Sequence, residues 1–294
     1  MAVDRRSVLK VIAAAGAATV AGPAGARERP KPPEDAVGML YDATRCIVCK
    51  SCVVACREAN GMPVEELEGM WDAPISLSGK TKNIIKLYRE GDTTSYMKAQ
   101  CMHCIDPACV SVCMIGALQK RERGIVTWDP SRCIGCRYCQ VACPFDVPKF
   151  EWEKAVPQIV KCELCRHRLD EGKEPACCEV CPTEAVVYGS YDKLLAEARR
   201  RLEADPERYY PKIYGEHDGG GTQVLYLTAA GVPFEKLGLP DLGDEPVPEL
   251  SETIQHGIYQ GFIAPAALFV ALGAVIWRNR RSHPEEGEAE EETS

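Results

Sequence analysis

An α+β body of small repeated units, followed by one C-terminal membrane-spanning helix, is the architecture this sequence predicts. Three observations predict it. Cysteine is abundant where aromatics are scarce, with 17 cysteines against an aromatic content of 7% in 294 residues. Those cysteines fall into four quartets of nearly the same spacing, separated by turn residues and short β-branched runs rather than long apolar segments. Finally, Ile258–Trp277 holds 20 residues without a charged side chain. At about 1.5 Å per residue such a helix spans about 30 Å, the hydrocarbon thickness of a bilayer. The chain has room for one large domain or two small ones. The excess of cysteine over aromatic side chains points to something other than side-chain packing as the organiser of the body.

From the N-terminus, residues 1–26 carry paired arginines in Asp4-Arg5-Arg6-Ser7-Val8-Leu9-Lys10, an Ala/Gly/Val stretch, and a small-x-small site at Ala24-Gly25-Ala26. Together these describe a cleavable export signal of the twin-arginine type. The stretch is too short and Ala-rich to stay in a bilayer, and Pro23 interrupts it. Residues 27–40, which open on a Pro- and charge-rich run, read as a linker. The cysteine-rich body follows at 41–190, with strands expected at Asn83–Tyr88 and Gly124–Trp128. Residues 191–253 form a C-terminal extension. It opens on the clearest helix of the chain, Tyr191–Ala204, with Asp192 placed to cap it and Pro206 beyond its end. Leu194, Leu195, Ala198 and Leu202 give that helix an apolar stripe. A strand is expected at Gln223–Leu227, after Gly219-Gly220-Gly221. The triple glycine lacks the spacing of a phosphate-binding loop and precedes a strand, so it reads as a flexible turn.

The anchor occupies 254–280, and Arg278, Arg280 and Arg281 follow its apolar run. With the body exported, these arginines fall on the cytoplasmic side, as the positive-inside rule requires. The expected topology is single-pass in the cytoplasmic membrane, with the body on the periplasmic face. Residues 281–294 are an acidic cytoplasmic tail whose six glutamates supply most of the net charge of −8. The nearly neutral body shows no basic face, which argues against a nucleic-acid partner.

The chemistry lies in the quartets. The first is Cys46-x2-Cys49-x2-Cys52-x3-Cys56, and the third, Cys133-x2-Cys136-x2-Cys139-x3-Cys143-Pro144, repeats it. The second widens one gap, Cys101-x2-Cys104-x4-Cys109-x3-Cys113. The fourth widens it further, Cys162-x2-Cys165-x11-Cys177-x3-Cys181-Pro182. The x2-x2-x3-Pro run matches the known spacing of bacterial cubane iron–sulfur sites. A cubane needs four thiolates at the corners of a tetrahedron. Three cysteines two residues apart wrap one cube in a tight loop. A fourth, three residues later, sits on the following helical turn, points away and completes a neighbouring cube, so quartets work in pairs. Four quartets imply four 4Fe-4S clusters on sixteen thiolates. Spacing alone leaves open which quartets pair. Cys178 is the spare thiol, because Cys177 keeps the x3 gap to Cys181 that ends every quartet. It reads as a small buried hydrophobe.

Exported proteins commonly carry disulfides, but disulfides do not demand repeated x2 gaps. Structural zinc favours two Cys-x2-Cys pairs separated by a spacer, not three cysteines in seven residues. The twin-arginine route carries folded proteins, so clusters can be inserted first in the reducing cytosol. Lys50, Arg57, Arg132, Arg137, Lys161, Arg166 and Arg168 flank the quartets, and positive charge near a cluster stabilises its reduced form. His103 lies between two ligands and reads as their neighbour, not as a ligand. No nucleophile–base pair and no nickel, molybdopterin or haem signature occurs, Cys-x2-Cys-His included. The chain is expected to be a non-catalytic electron-transfer subunit.

With Glu174-Pro175-Ala176-Cys177 and Cys181-Pro182-Thr183 in the fourth, the quartets resemble those of the four-cluster subunits of membrane-bound respiratory oxidoreductases. More narrowly, the chain resembles the HybA-type iron–sulfur subunits of hydrogenase-2. The stretches that carry this are the leader, Gly38-Met39-Leu40-Tyr41-Asp42, Asn83-Ile84-Ile85, Gln100-Cys101-Met102-His103-Cys104, Lys161-Cys162-Glu163-Leu164-Cys165, Tyr214-Gly215-Glu216 and Gly219-Gly220-Gly221-Thr222-Gln223-Val224-Leu225. The likeness covers nearly the whole chain. It implies tandem pseudo-symmetric units of the bacterial dicluster ferredoxin kind, with the quartets nested. One cluster then takes Cys46, Cys49, Cys52 and Cys181, and its neighbour Cys56, Cys162, Cys165 and Cys177. The inner pair takes Cys101, Cys104, Cys109 and Cys143, then Cys113, Cys133, Cys136 and Cys139. The resemblance further implies an electron relay in anaerobic respiration, between the small and large subunits of a nickel–iron hydrogenase and a multi-helix, quinone-reactive membrane subunit. Two departures stand out. Met114 replaces a proline after the second quartet, and the x11 gap with Glu-Pro-Ala-Cys is closer to the formate dehydrogenase iron–sulfur subunit. A molybdopterin catalytic partner is therefore the alternative, with the leader favouring the hydrogenase.

Overall fold

The structure, a computed structural model, describes residues 29–63 and 74–282. The export signal at 1–26 and the acidic tail from Pro284 onward lie outside the described residues. Residues 29–248 form one compact unit, and the C-terminal helix belongs to another.

The body is α+β, with a three-stranded sheet at its centre. Strand β1 (Val37–Asp42) lies between β8 (Val186–Ser190), antiparallel with Val37 opposite Ser190, and β9 (Val224–Leu227), parallel with Met39 opposite Val224. Two faces follow from the strand alternation. Met39, Tyr41, Val224 and Tyr226 join the main core, which also contains Cys52, Cys101, Cys162 and Cys177. Leu40, Leu225 and Leu227 turn the other way, onto a second core with Leu194 and Ala198. The linker expected at 27–40 is thus corrected: from Val37 onward the chain is the central strand of the sheet. Its partners lie about 150 and 190 residues away in sequence, so no local pattern announces it. Gly38 permits the close approach, since a Cβ there would stand 2.0 Å from the Gln223 carbonyl oxygen.

Strands β2 (Asn83–Glu90) and β3 (Thr93–Gln100) form a hairpin closed at Gly91, and β4 (Leu118–Lys120) pairs with β5 (Val126–Trp128). A two-residue ladder joins β6 (Lys149–Phe150) to β7 (Ile159–Val160). The expected strands at 83–88 and 124–128 are present, the second trimmed to three residues. Strand β3 escaped notice because Lys98 and Gln100 occupy buried positions in it.

Five short helices follow the cysteine loops: α1 (Ser51–Ala59), α2 (Ala108–Ser111), α3 (Tyr138–Ala142), α4 (Arg166–Asp170) and α5 (Ala176–Glu179). Helix α1 packs on α5, and α2 on α3. Helix α6 (Tyr191–Ala204) lies against the sheet, with Leu194 and Ala198 buried and Leu195 and Leu202 half-buried as the stripe predicts. Asp192 is not its cap. The cap position is Ser190, the last residue of β8, so Asp192 already lies in the first turn, where a carboxylate still suits the helix dipole.

The extension after α6 is part of the same scaffold. Ile105, Gln223 and Val224 donate their N–H groups to the carbonyls of Gly221, His103 and Met102, respectively. The Gly-rich turn at 219–221 thereby holds the loop of the second quartet. All three glycines have positive φ, and a Cβ on Gly221 would come 2.7 Å from Ile105 Cδ1. Tight packing against that loop, not flexibility, requires glycine there.

Helix α7 (Glu249–Ser282) is continuous over 34 residues, with Pro265 inside it. The anchor expected at 254–280 falls within this helix, although the side chains of 253–264 lie outside the described residues. Among the described residues no helix is long and apolar enough to cross a membrane. Phe269, Val270, Leu272, Val275, Ile276 and Trp277 are exposed.

Candidate metal centres

Each cysteine loop contains the same backbone irregularity. Two residues after its first cysteine, the chain turns through positive φ: Val48 at 61°, His103 at 48°, Gly135 at 69° and Leu164 at 50°. Such a conformation is costly for a β-branched residue such as Val48, and its recurrence shows a shared construction. The first and third loops repeat it at Lys50 and Arg137, with φ of 56° and 65°. Successive turns of this kind aim backbone N–H groups inward, as in anion-binding nests. Leu164 N–H donates to Cys162 Sγ at 3.4 Å, and Ala117 N–H to Cys113 Sγ at 3.2 Å.

The thiols assemble in four sets. A cleft of about 350 Å³ is lined by Cys46, Cys49, Cys52 and Cys181. Another, of about 400 Å³, is lined by Cys113, Cys133, Cys136 and Cys139. The other two sets are revealed by their mutual electrostatics. Burial pushes the Cys162 thiol well above its ordinary value, and Cys56, Cys165 and Cys177 push it further. Cys104 is likewise raised by burial, then by Cys143, Cys101 and Cys109. A buried thiolate beside other thiolates is unfavourable unless positive charge is supplied, which iron would do.

These sets are the nested ones. The last cysteine of each quartet leaves its own loop and joins its partner quartet, because α1 lies on α5 and α2 on α3. The paired sets adjoin. Cys177 acts on Cys52, and Cys139 on Cys109. Cys101, Cys162 and Cys177 all act on the buried Tyr226, which places the second quartet beside the fourth. Cys49 and Cys136 are exposed, whereas Cys56, Cys162, Cys165 and Cys177 are all buried.

All seventeen cysteines are free thiols. Among the described residues no three His, Cys, Asp or Glu side chains converge tightly enough to hold a single metal ion. The thiols instead line shared clefts in groups of four, the donor number that a cubane cluster takes. Cys178 lines neither cleft and is buried beside Cys177. It donates to Cys177, and this bond, ahead of Lys98, lowers the Cys177 thiol to about 6 despite burial.

Of the flanking cations, Lys50 lines the first cleft and Arg137 the last, with Arg137 also over the Trp152 ring at 4.8 Å. Lys161 is buried and donates to the carbonyls of Val126 and Cys162. Arg57 is also buried, whereas Arg166 is exposed, Arg132 pairs with Asp129, and Arg168 is engaged by Glu179 and the Glu174 carbonyl. Two lysines were not singled out from the sequence, the buried Lys98 and the half-buried Lys120. The second donates to the Cys104 carbonyl at 2.7 Å. Their signal is weak, a lysine in an otherwise strand-like run beside a quartet. His103 is fully buried and accepts the Val126 N–H on Nδ1 at 3.1 Å. Burial, with Lys161 and Lys120 nearby, holds its pKa well below the usual histidine range. Its proton therefore sits on Nε2, which is buried without a protein partner.

Sites of this construction define a carrier of paired iron–sulfur clusters, and comparison with known proteins agrees. Residues 93–191 match the 4Fe-4S dicluster domain. The chain is 40% identical to the hydrogenase-2 operon protein HybA of Escherichia coli O157:H7, over 97% of this chain and 98% of the relative. It is 34% identical to the formate dehydrogenase-O iron-sulfur subunit of Escherichia coli K12, over 88% of this chain and 89% of that protein. The formate dehydrogenase iron-sulfur subunit of Haemophilus influenzae is 33% identical over 81% of this chain and 78% of its own length. The chain belongs to the family of the hydrogenase-2 operon protein HybA.

Proposed function

We propose that this chain is a non-catalytic electron-transfer subunit in which the sixteen quartet cysteines hold four 4Fe-4S clusters. One-electron transfer is the chemistry such clusters supply when bound. The observation that carries the reading is the assembly of four four-thiol sets, each built from two quartets. The protein's part is to hold the sets next to one another, bury the set of Cys56, Cys162, Cys165 and Cys177, and place cations beside them. Cys49 and Cys136, exposed on two different sets, mark where electrons enter and leave.

The partners that fit best are a periplasmic nickel–iron hydrogenase and a quinone-reactive membrane subunit. Support comes from the 40% identity to HybA along nearly the whole length and from the paired arginines near the N-terminus. On this reading the chain is exported by the twin-arginine route and anchored through helix α7, with the cluster body on the periplasmic face. A second reading, a formate dehydrogenase or another molybdopterin oxidoreductase, draws on the x11 gap and on 34% identity to such subunits.

Anaerobically purified protein should contain about sixteen iron atoms and as much acid-labile sulfide per chain, and show paramagnetic signals on reduction. About eight iron atoms would remove one pair of sites, and none would overturn the reading. Nickel in the co-purified complex selects the hydrogenase, molybdenum the alternative.

A further inference from the structure

A buried cation stands where the first and fourth quartets meet. Lys98 projects from β3, three residues before Cys101, and is 1% exposed. Its ammonium donates to Gln100 Oε1, and Gln100 Nε2 donates to Met39 Sδ at 3.1 Å. The amide that anchors it is neutral and leaves its charge uncancelled. Lys98 lines the cleft of Cys46, Cys49, Cys52 and Cys181. It also faces the adjoining set. Its charged neighbours are Cys177 and Cys162 of that set and Cys52 of the first.

The charged neighbours of the two pairs of sites differ, with Lys161 bordering both through Cys109 and the Cys162 carbonyl. Lys98 acts on Cys52, Cys56, Cys162 and Cys165, all from the first and fourth quartets. Beside Cys104 and Cys109 of the second quartet the cations are Lys120 and Lys161. An ammonium buried this deeply needs negative charge around it, and here the surrounding groups are thiols that become thiolates when they bind iron. A fixed cation favours whichever state of a neighbouring redox centre carries more negative charge, and that is the reduced one.

We propose that Lys98 is the shared counter-charge of the two sites built from the first and fourth quartets, and that it raises their reduction potentials more than those of the second–third pair. This inference rests on the relay reading and deepens it. Lys98 makes the first–fourth pair easier to reduce than the same thiols would be without it, and so contributes to the direction in which electrons settle along the chain.

The test is an anaerobic redox titration, followed by electron paramagnetic resonance, on the full chain in its native complex. In Lys98→Met, two of the four signals should lose at least tenfold in reduced-to-oxidised ratio at fixed ambient potential, equal to about 59 mV for a one-electron couple. In Lys98→Arg the same signals should stay within about threefold of the parent, because the charge is kept. Lys120→Met should move signals from the other pair. If Lys98→Met does not load iron, Gln100→Glu decides: a carboxylate against the ammonium should lower the same two potentials. A parent without iron overturns the relay reading and this inference together. A parent with full iron overturns this inference alone if its variants move no signal, move all four alike, or shift equally with arginine and methionine.

Discussion

Arg201→Met perturbs the joint between α6 and the central sheet, four residues from the first cluster ligand. Asp42 is fully buried on β1 and accepts from Arg201 Nη1 at 3.0 Å, Tyr209 Oη at 2.9 Å, and Thr44 N and Oγ1 at 3.0 and 2.6 Å. Arg201, itself buried, supplies the formal positive charge, and its Nε also holds Glu197 at 2.7 Å. Methionine keeps the aliphatic length but leaves a buried carboxylate without its counter-ion. Removing one partner of such a pair costs about 3–5 kcal/mol. Arg45, 3.6 Å from the same oxygen and partly exposed, offsets some of this. The lower end is therefore expected, about 3 kcal/mol, or roughly a hundredfold in the local opening equilibrium. Amide hydrogen exchange of α6 in the cluster-loaded protein reads that opening directly, with iron content as the control for global damage. Protection in 191–204 should fall roughly a hundredfold. The double variant Asp42→Asn with Arg201→Met, which removes the buried carboxylate together with its buried counter-ion and leaves only the partly exposed Arg45 without its partner, should recover part of it. A loss under about threefold, or a double variant worse than the single, would refute the reasoning that an orphaned charge is the cost.

Further outcomes follow from the same structure. Cys178→Ala should leave iron content unchanged, whereas Cys177→Ala should lose or convert one cluster; the reverse would move the register of the fourth quartet by one residue. Glu197 is held down to about 2 from an ordinary 4.5, first by Arg200 and then by Arg201. A carboxyl lowered on folding stabilises the fold above its unfolded value and loses that effect as pH falls through the folded one. Glu197→Gln should thus reduce α6 protection about twofold, as exposed helix pairs do, and the deficit should be constant from about pH 7 to 5. A deficit that disappears within that window contradicts the assignment. Replacing Arg5 and Arg6 by lysine should strand the body in the cytoplasm, as fractionation would show; continued export counts against the twin-arginine signal.

How much was legible beforehand differs between site and scaffold. The four cysteine quartets and the helix at 191–204 were readable because each rests on local spacing: a thiol every third residue, or an apolar side chain every third or fourth. Strand β1 and the packed glycine turn were not, since both depend on contacts made far away in sequence. Lys98 shows the limit most plainly. In the sequence it is one lysine among the chain's 35 lysines and arginines, and only the hairpin that carries β3 inward turns it from a surface charge into a buried one.

By itself, then, the sequence set out which thiols stand at cluster-ligand spacing, in four quartets, each ending on a thiol placed to serve a neighbouring site. Tertiary structure decided where that thiol goes, by laying α1 on α5 and α2 on α3. It also decided which cations lie beside which thiols. Ligand geometry is written within ten or twenty residues, whereas an electrostatic environment is the sum over everything the fold brings near.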